Sequence, residues 1–209
     1  MSTIMTPKIN IEENLPKFLD LSDIEKIFKF LRNKNLKMKK WKTYYLIIRI
    51  LYATMSRVSE LCNIKIMDVN FKNEYVILRG KGNKQRIVPV DPNTLGIIYD
   101  YIKERDSIEE EEYLILNLRD KPLSPRVVQN YISDIKEMCG FPNSKFITPH
   151  IFRHTGATHL RRSGMDISEL QDILGHSNPN TTRIYAKNDI TKLKESYNIM
   201  HPLNKYNDL

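Results

Sequence analysis

The stretch Pro149–Lys187 reads PHIFRHTGATHLRRSGMDISELQDILGHSNPNTTRIYAK, and its own punctuation divides it into three helices. Thr148 followed by Pro149 is a helix start, because a threonine side chain can accept an orphan N–H and proline loses nothing at the first helical position. Gly164 stops that helix. Asp166 and Glu169 cap a second, ISELQDIL, which Gly175 ends. PNTTRIYAK reads as the last helix of the core.

Upstream, the same signals recur. Ser124-Pro125 starts a helix with Val128, Tyr131, Ile132 and Ile135 inward and Gly140 at its end. Asp91-Pro92 starts another, with Leu95, Ile98, Tyr99 and Ile102 on one face. Between residues 68 and 90 the period changes. DVNF, EYVILRG and QRIVPV are short β-type runs, and GKGNK joins the last two as a hairpin turn. Near the start, Ser22 and Glu25 read as a capping box, followed by Ile24, Ile27, Phe28 and Leu31 at helical spacing. A basic loop spans 34–42, a more buried helix runs from about Trp41 to Thr54, and SRVSELCNI reads as a short third helix. Glu109–Glu112 is an acidic run expected in a solvated loop. The reading is a mainly α chain with a small three-stranded antiparallel sheet, an α+β domain over 19–190. It is preceded by a tail or linker (1–18) and followed by a tail (191–209) that could form one more amphipathic helix.

Composition bounds the function. The 209 residues suffice for one domain with a real core. The longest apolar stretch, Tyr44–Tyr52, is broken by Arg49 and falls short of a membrane span, and the first residues lack a signal-peptide core, so a cytoplasmic protein is expected. Cys62 and Cys139 lie far apart without metal-ligand spacing and are expected to be buried free thiols. A balance of 33 basic to 25 acidic residues, +8 net, favours a polyanionic partner.

Four segments concentrate basic and nucleophilic groups: Arg57 in SRVSEL, Lys81 in GKGNKQR, His150 and Arg153 in PHIFRH, and His176 with Tyr185 in LGHSNPNTTRIY. Cleaving a phosphodiester without metal needs an in-line nucleophile, positive charge on the equatorial oxygens and a proton for the leaving oxygen. Arginine suits the second task, since its planar fork donates twice to a phosphate and stays charged. A lysine on a hairpin tip can protonate a leaving alkoxide. A tyrosine ester of phosphate conserves the bond energy for rejoining.

These residues resemble the signature of the tyrosine recombinases, the phage-integrase and Xer-like enzymes. That pattern is a His, two residues, an Arg and a His, then Leu-Gly-His and a later Tyr; here it is His150, Arg153, His154, Leu174-Gly175-His176 and Tyr185. SRVSEL is similar to the family's first-arginine motif, with Glu60 as the acidic neighbour, and GKGNKQRIVPV to its β-hairpin. The resemblance covers about residues 20 to 190 and implies a DNA breaking-and-rejoining catalytic domain. It implies that Tyr185 attacks the scissile phosphate to give a 3′-phosphotyrosyl link. Arg57, Arg153 and His176 would bind the non-bridging oxygens, Lys81 would protonate the leaving 5′-oxygen, and His150 would transfer a proton at Tyr185. No metal or other cofactor is implied. The implied partners are double-stranded DNA and further copies of the chain, a tetramer on DNA, with no membrane and no small-molecule substrate.

Each residue also has a plainer reading. Tyr185 is one of 11 tyrosines. Arg57 and Glu60 could be an ordinary helix ion pair worth a few tenths of a kcal/mol. Lys81 sits beside Lys84 and Arg86, which suits a solvated turn. His150 and His154, four apart, could suggest a metal site, but the acidic partner of a metalloprotease motif is missing and Arg153 would repel a cation. His154 is instead expected to be buried and, like His159, structural. LGHSNPNTTRIY has a helix-turn-helix look, yet a simple DNA-binding module explains neither Arg57 nor Lys81. The alternatives to recombination are a type IB topoisomerase-like activity and a relic that binds DNA without cutting.

Family members often carry a separate N-terminal helical domain that closes a clamp on DNA. Only two helices precede the Arg57 motif, so that domain is expected to be absent from this chain, whether natural or a fragment of a longer one. The tail stripe Leu193, Tyr197 and Met200 either packs on its own domain or is exchanged between protomers on DNA; the second is the expectation, with a monomer when free. With half of the clamp's contacts missing, DNA affinity should fall steeply between about 50 and 200 mM salt. An affinity that hardly changes over that range contradicts the reading.

Overall fold

The centre of the fold is a helix that is apolar on every side. The computed structural model describes residues 18–32, 39–80, 82, 84–105, 112–175 and 187–205. Within it α2 (Lys39–Thr54) carries Leu46, Ile47, Ile48, Ile50 and Leu51, none of which reaches solvent. A helix that is hydrophobic all round has to be enclosed. Here α1 (Leu21–Leu31), α3 (Val58–Cys62), α4 (Pro92–Lys103), α5 (Pro125–Met138) and α6 (Pro149–Arg162) all pack on it.

Arg49, which interrupts the apolar run of α2, is itself fully buried. Its Nε donates to Thr94 Oγ1 at 2.7 Å and its Nη2 to Asp91 Oδ1 at 3.0 Å. Asp91 also accepts from the Thr94 N–H at 2.9 Å, capping α4. A buried charge is tolerable only when paired and hydrogen-bonded in this way. The pair therefore fixes the corner where the sheet hands over to α4.

The sheet has three antiparallel strands in the order β1 (Val69–Asn70), β2 (Tyr75–Arg79) and β3 (Gln85–Pro89). Val76 faces Val88 and Leu78 faces Arg86 across the central pair. Strand alternation puts Val76, Leu78, Arg86 and Val88 on the inner face, and all four are buried. The expected class, mainly α with a small three-stranded antiparallel sheet, is the one observed.

Several local expectations shift. The first helix is entered through Asp20 and Asp23 rather than Ser22 and Glu25: the Asp20 N–H donates to Asp23 Oδ2 at 3.0 Å. Burial explains the choice, because Leu19 is buried with its N–H donating to Thr155 Oγ1 at 2.9 Å, and this sets where the chain enters. The Arg57 motif is helical only from Val58, and Arg57 is the N-cap. Tyr99 lies outside the buried stripe of α4, 53% exposed, with its ring edge-on to Phe71. His154 is exposed, whereas His159 is buried with Nδ1 2.8 Å from the Tyr52 hydroxyl. Cys62 and Cys139 are both buried, and desolvation pushes their thiols up to about 11.

α7 (Ile167–Leu174) follows α6 and is capped by Asp166, which accepts from the Ser168 N–H at 2.7 Å. α8 (Lys187–Met200) and α9 (Pro202–Lys205) close the chain. In the single chain the stripe on α8 packs on its own domain: Leu193 and Tyr197 are buried, and the Tyr197 hydroxyl donates to the Ala53 carbonyl at 2.9 Å. Among the described residues no helix is long and apolar enough to cross a membrane. The acidic run Glu109–Glu111 and the helix read over PNTTRIYAK up to Ala186 lie outside the described residues.

α6 meets α2 at Gly156, where a Cβ would stand 2.7 Å from Met55 Cγ and 2.9 Å from the Tyr52 carbonyl oxygen. The Tyr52 contact is helix backbone and cannot swing aside. Gly156→Ala should therefore lower stability by about 1–3 kcal/mol of overpacking, less the roughly 1 kcal/mol by which alanine favours a helix. A urea midpoint higher than that of the wild type contradicts this account of the contact.

Candidate anion-binding site

Three consecutive residues build the floor of the site. α2 ends at Thr54, and Met55 turns the chain with a left-handed φ of 49°. Ser56 is buried, and Arg57 follows in extended conformation as the N-cap of α3. An arginine cannot accept the orphan N–H groups of a helix start. The third helical residue, Glu60, reaches back instead, and its Oε2 accepts the Arg57 N–H at 2.7 Å.

Glu60 is only 1% exposed and is shared by three guanidinium groups. Arg57 Nη1 donates to Oε1 at 2.9 Å. Arg86, from the inner face of β3, donates through both ends of its fork, 2.7 Å to Oε1 and 2.8 Å to Oε2. Arg153 Nη1 stands 4.0 Å from Oε2. Burial by itself would raise the carboxyl pKa, but the hydrogen bonds and charge of Arg86, with the bonds from Arg57, outweigh it and hold Glu60 down at about 2. The pair whose plainer reading was an ordinary helix contact is part of a buried network centred on Glu60.

Arg153 is buried on α6, and two of its N–H groups are held by backbone: Nη1 donates to the Met55 carbonyl at 2.6 Å and Nη2 to the Leu174 carbonyl at 2.8 Å, which leaves further N–H groups of the guanidinium for another acceptor. Desolvation lowers its pKa to about 10, the charges of Arg57 and Arg86 add to that, and Glu60 opposes it. It is still a cation at neutral pH. Arg57 is the open member, with 47% of its side chain exposed. Three guanidinium charges against one carboxylate leave two positive charges uncompensated, at a place where one cation faces solvent. Such a site attracts an anion with several acceptor oxygens.

Of the residues expected from sequence, Arg57 and Arg153 are brought together around Glu60. His150 lies in the first turn of α6, exposed, one turn before Arg153. Lys81, His176 and Tyr185 lie outside the described residues. Gly80, next to Lys81 in sequence, donates its N–H to the Lys84 carbonyl at 2.8 Å, and a Cβ on it would sit 3.4 Å from Glu60 Oε1. Gly175, next to His176, ends α7 with φ 66°. A Cβ there would come within 2.9 Å of Arg86 Cδ. Among the described residues no group of three or more His, Cys, Asp or Glu is arranged to hold a metal.

Arg86 is the residue that sequence reasoning missed: it was read in the strand run QRIVPV but given no part in the site. The signal was present: in QRIVPV it shares the strand alternation of Val88 and Val90, which puts it on the buried face.

Comparison with known proteins gives the family of the chain. The sequence pattern of the phage integrase family matches residues 17–192. The tyrosine recombinase XerA of Thermococcus onnurineus is 37% identical over 191 residues, covering 89% of this chain and 63% of that protein. Tyrosine recombinase XerD of Staphylococcus haemolyticus is 34% identical, covering 95% of this chain and 66% of its own length. The chain thus spans a little under two thirds of these curated relatives. Among solved structures, the XerA recombinase superposes with a TM-score of 0.69 at 25% identity, covering 96% of this chain and 64% of that one. The XerH site-specific recombinase, bound to its difH substrate in a pre-cleavage complex, gives 0.66 at 26% identity, covering 88% of this chain and 54% of that one. With the pattern matched from ahead of α1 into α8, the chain belongs to the phage integrase family.

Proposed function

We propose that the chain is the catalytic part of a site-specific DNA recombinase that cuts and rejoins strands through a 3′-phosphotyrosyl intermediate on Tyr185. The observation that carries this reading is the pair Arg57 and Arg153 gathered on one buried carboxylate with net positive charge to spare. A scissile phosphate presents two non-bridging oxygens whose charge grows toward the pentacoordinate transition state, and fixed guanidinium donors stabilise that growth without reorganising.

In this mechanism the Tyr185 phenol oxygen attacks phosphorus, its proton passing to His150. Arg57 and Arg153, with His176, hold the non-bridging oxygens. The bond from phosphorus to the 5′-oxygen breaks, and Lys81 delivers a proton to that oxygen. In the reverse sense, a 5′-hydroxyl from a partner duplex attacks the phosphotyrosine and releases Tyr185, so that one strand joins another with no external energy source. The partner is double-stranded DNA, in keeping with the net charge of +8 and with the DNA-bound state of the XerH relative. We place the protein in the cytoplasm, as four copies on DNA. Exchange of the 191–209 tail between those copies would require α8 to leave the surface that Tyr197 now occupies beside Ala53.

The test uses a DNA site obtained by binding-site selection, built as a nicked substrate that cannot religate. The wild-type chain should form a covalent protein–DNA adduct stable to detergent, and Tyr185→Phe should form none. An adduct that persists unchanged in Tyr185→Phe overturns the assignment of the nucleophile.

A further inference from the structure

Arg86 donates more hydrogen bonds to the site's framework through its side chain than Arg57 or Arg153. Besides holding both oxygens of Glu60, its Nε donates to the Ile173 carbonyl at 2.7 Å. The next carbonyl, Leu174, is taken by Arg153 at 2.8 Å. These two belong to the last turn of α7, where carbonyls have no partner inside the helix and carry the negative end of its dipole. The contacts close into a ring: Glu60 to Arg86, Arg86 to the end of α7, the end of α7 to Arg153, and Arg153 back to Glu60 at 4.0 Å, with Arg57 attached at Glu60. Gly175 lets α7 approach this closely, since any Cβ would strike the Arg86 stem.

We propose that Arg86 is a positioning residue for strand cleavage, setting the separation between Arg57 and Arg153. It is 8% exposed, and both ends of its fork are committed to the Glu60 carboxylate, so the role assigned to it is to hold the site rather than to touch phosphate. Its fork shape matters as well as its charge. The two ends align the carboxylate that orients Arg57, while Nε points the other way to the helix that anchors Arg153. A lysine keeps the charge but cannot reach both.

The inference rests on the phosphate-binding roles proposed for Arg57 and Arg153, and the experiment separates the two. Single-turnover adduct formation at saturating nicked DNA, DNA affinity and the folded fraction are measured for wild type, Arg86→Lys and Arg86→Gln at a temperature where each is folded. Both variants should cleave at least ten-fold more slowly, Gln more so than Lys, with DNA affinity within two-fold of wild type. Rates within two-fold of wild type would reduce Arg86 to a structural ion pair and overturn the proposal. Affinity falling in step with rate would overturn it too, since Arg86 would then be a DNA contact. No adduct from the wild-type chain would instead sink the underlying cleavage reading. Should both variants melt below the assay temperature, Gly175→Ala decides. It pushes α7 off the Arg86 stem, so it should slow cleavage at unchanged DNA affinity, and wild-type cleavage by that variant would overturn the proposal.

Discussion

One buried carboxylate organises the functional end of this protein. Glu60 is almost without solvent, and it accepts from Arg57 and Arg86 while Arg153 stands at 4.0 Å. Guanidinium groups repel one another, and repulsion at this range in a poorly solvated site would drive them apart. A shared anion between them makes the cluster stable. Because the anion is single, the cluster keeps the excess positive charge that a phosphate can take up.

The rest of the fold holds that cluster to a fixed geometry. Met55, just past the end of α2, offers its carbonyl to Arg153, and its side chain lies against Gly156, where α6 packs closely on α2. Any change in that helix contact is therefore felt by the arginine one turn earlier. On the other side, α7 closes on the cluster through two of its own unpaired carbonyls. The Arg49–Asp91 pair does similar work at the base of the sheet, tying α2 to the strand end and the start of α4. Ionic groups here act as connectors between helices whose apolar faces supply most of the cohesion.

Much of this was legible in the residue order. Helix starts at Pro92, Pro125 and Pro149 coincide with expectation, because a capping side chain followed by proline is a strictly local signal. Arg57 and Arg153 were found by motif, and their closeness then followed from the fold. What local reading missed depends on partners far along the chain. The Arg86 contacts are to residues 26 and 87 positions away, so its burial could be seen only by weighting strand alternation above the preference of arginine for solvent. The entry to α1 was displaced by the burial of Leu19, and its partner Thr155 lies 136 positions on. His154 follows the outer face of α6 with His150, although Arg153 beside it is buried.

The most direct test of the organising role of Glu60 is the equilibrium unfolding free energy of Glu60→Gln at neutral pH. Glutamine keeps the shape and removes the charge, leaving three cations around a neutral amide. A loss of about 3–5 kcal/mol, the usual cost of breaking a buried ion pair by removing one partner, is the predicted result. A variant that unfolds within about 0.5 kcal/mol of wild type, as surface substitutions do, would contradict the account.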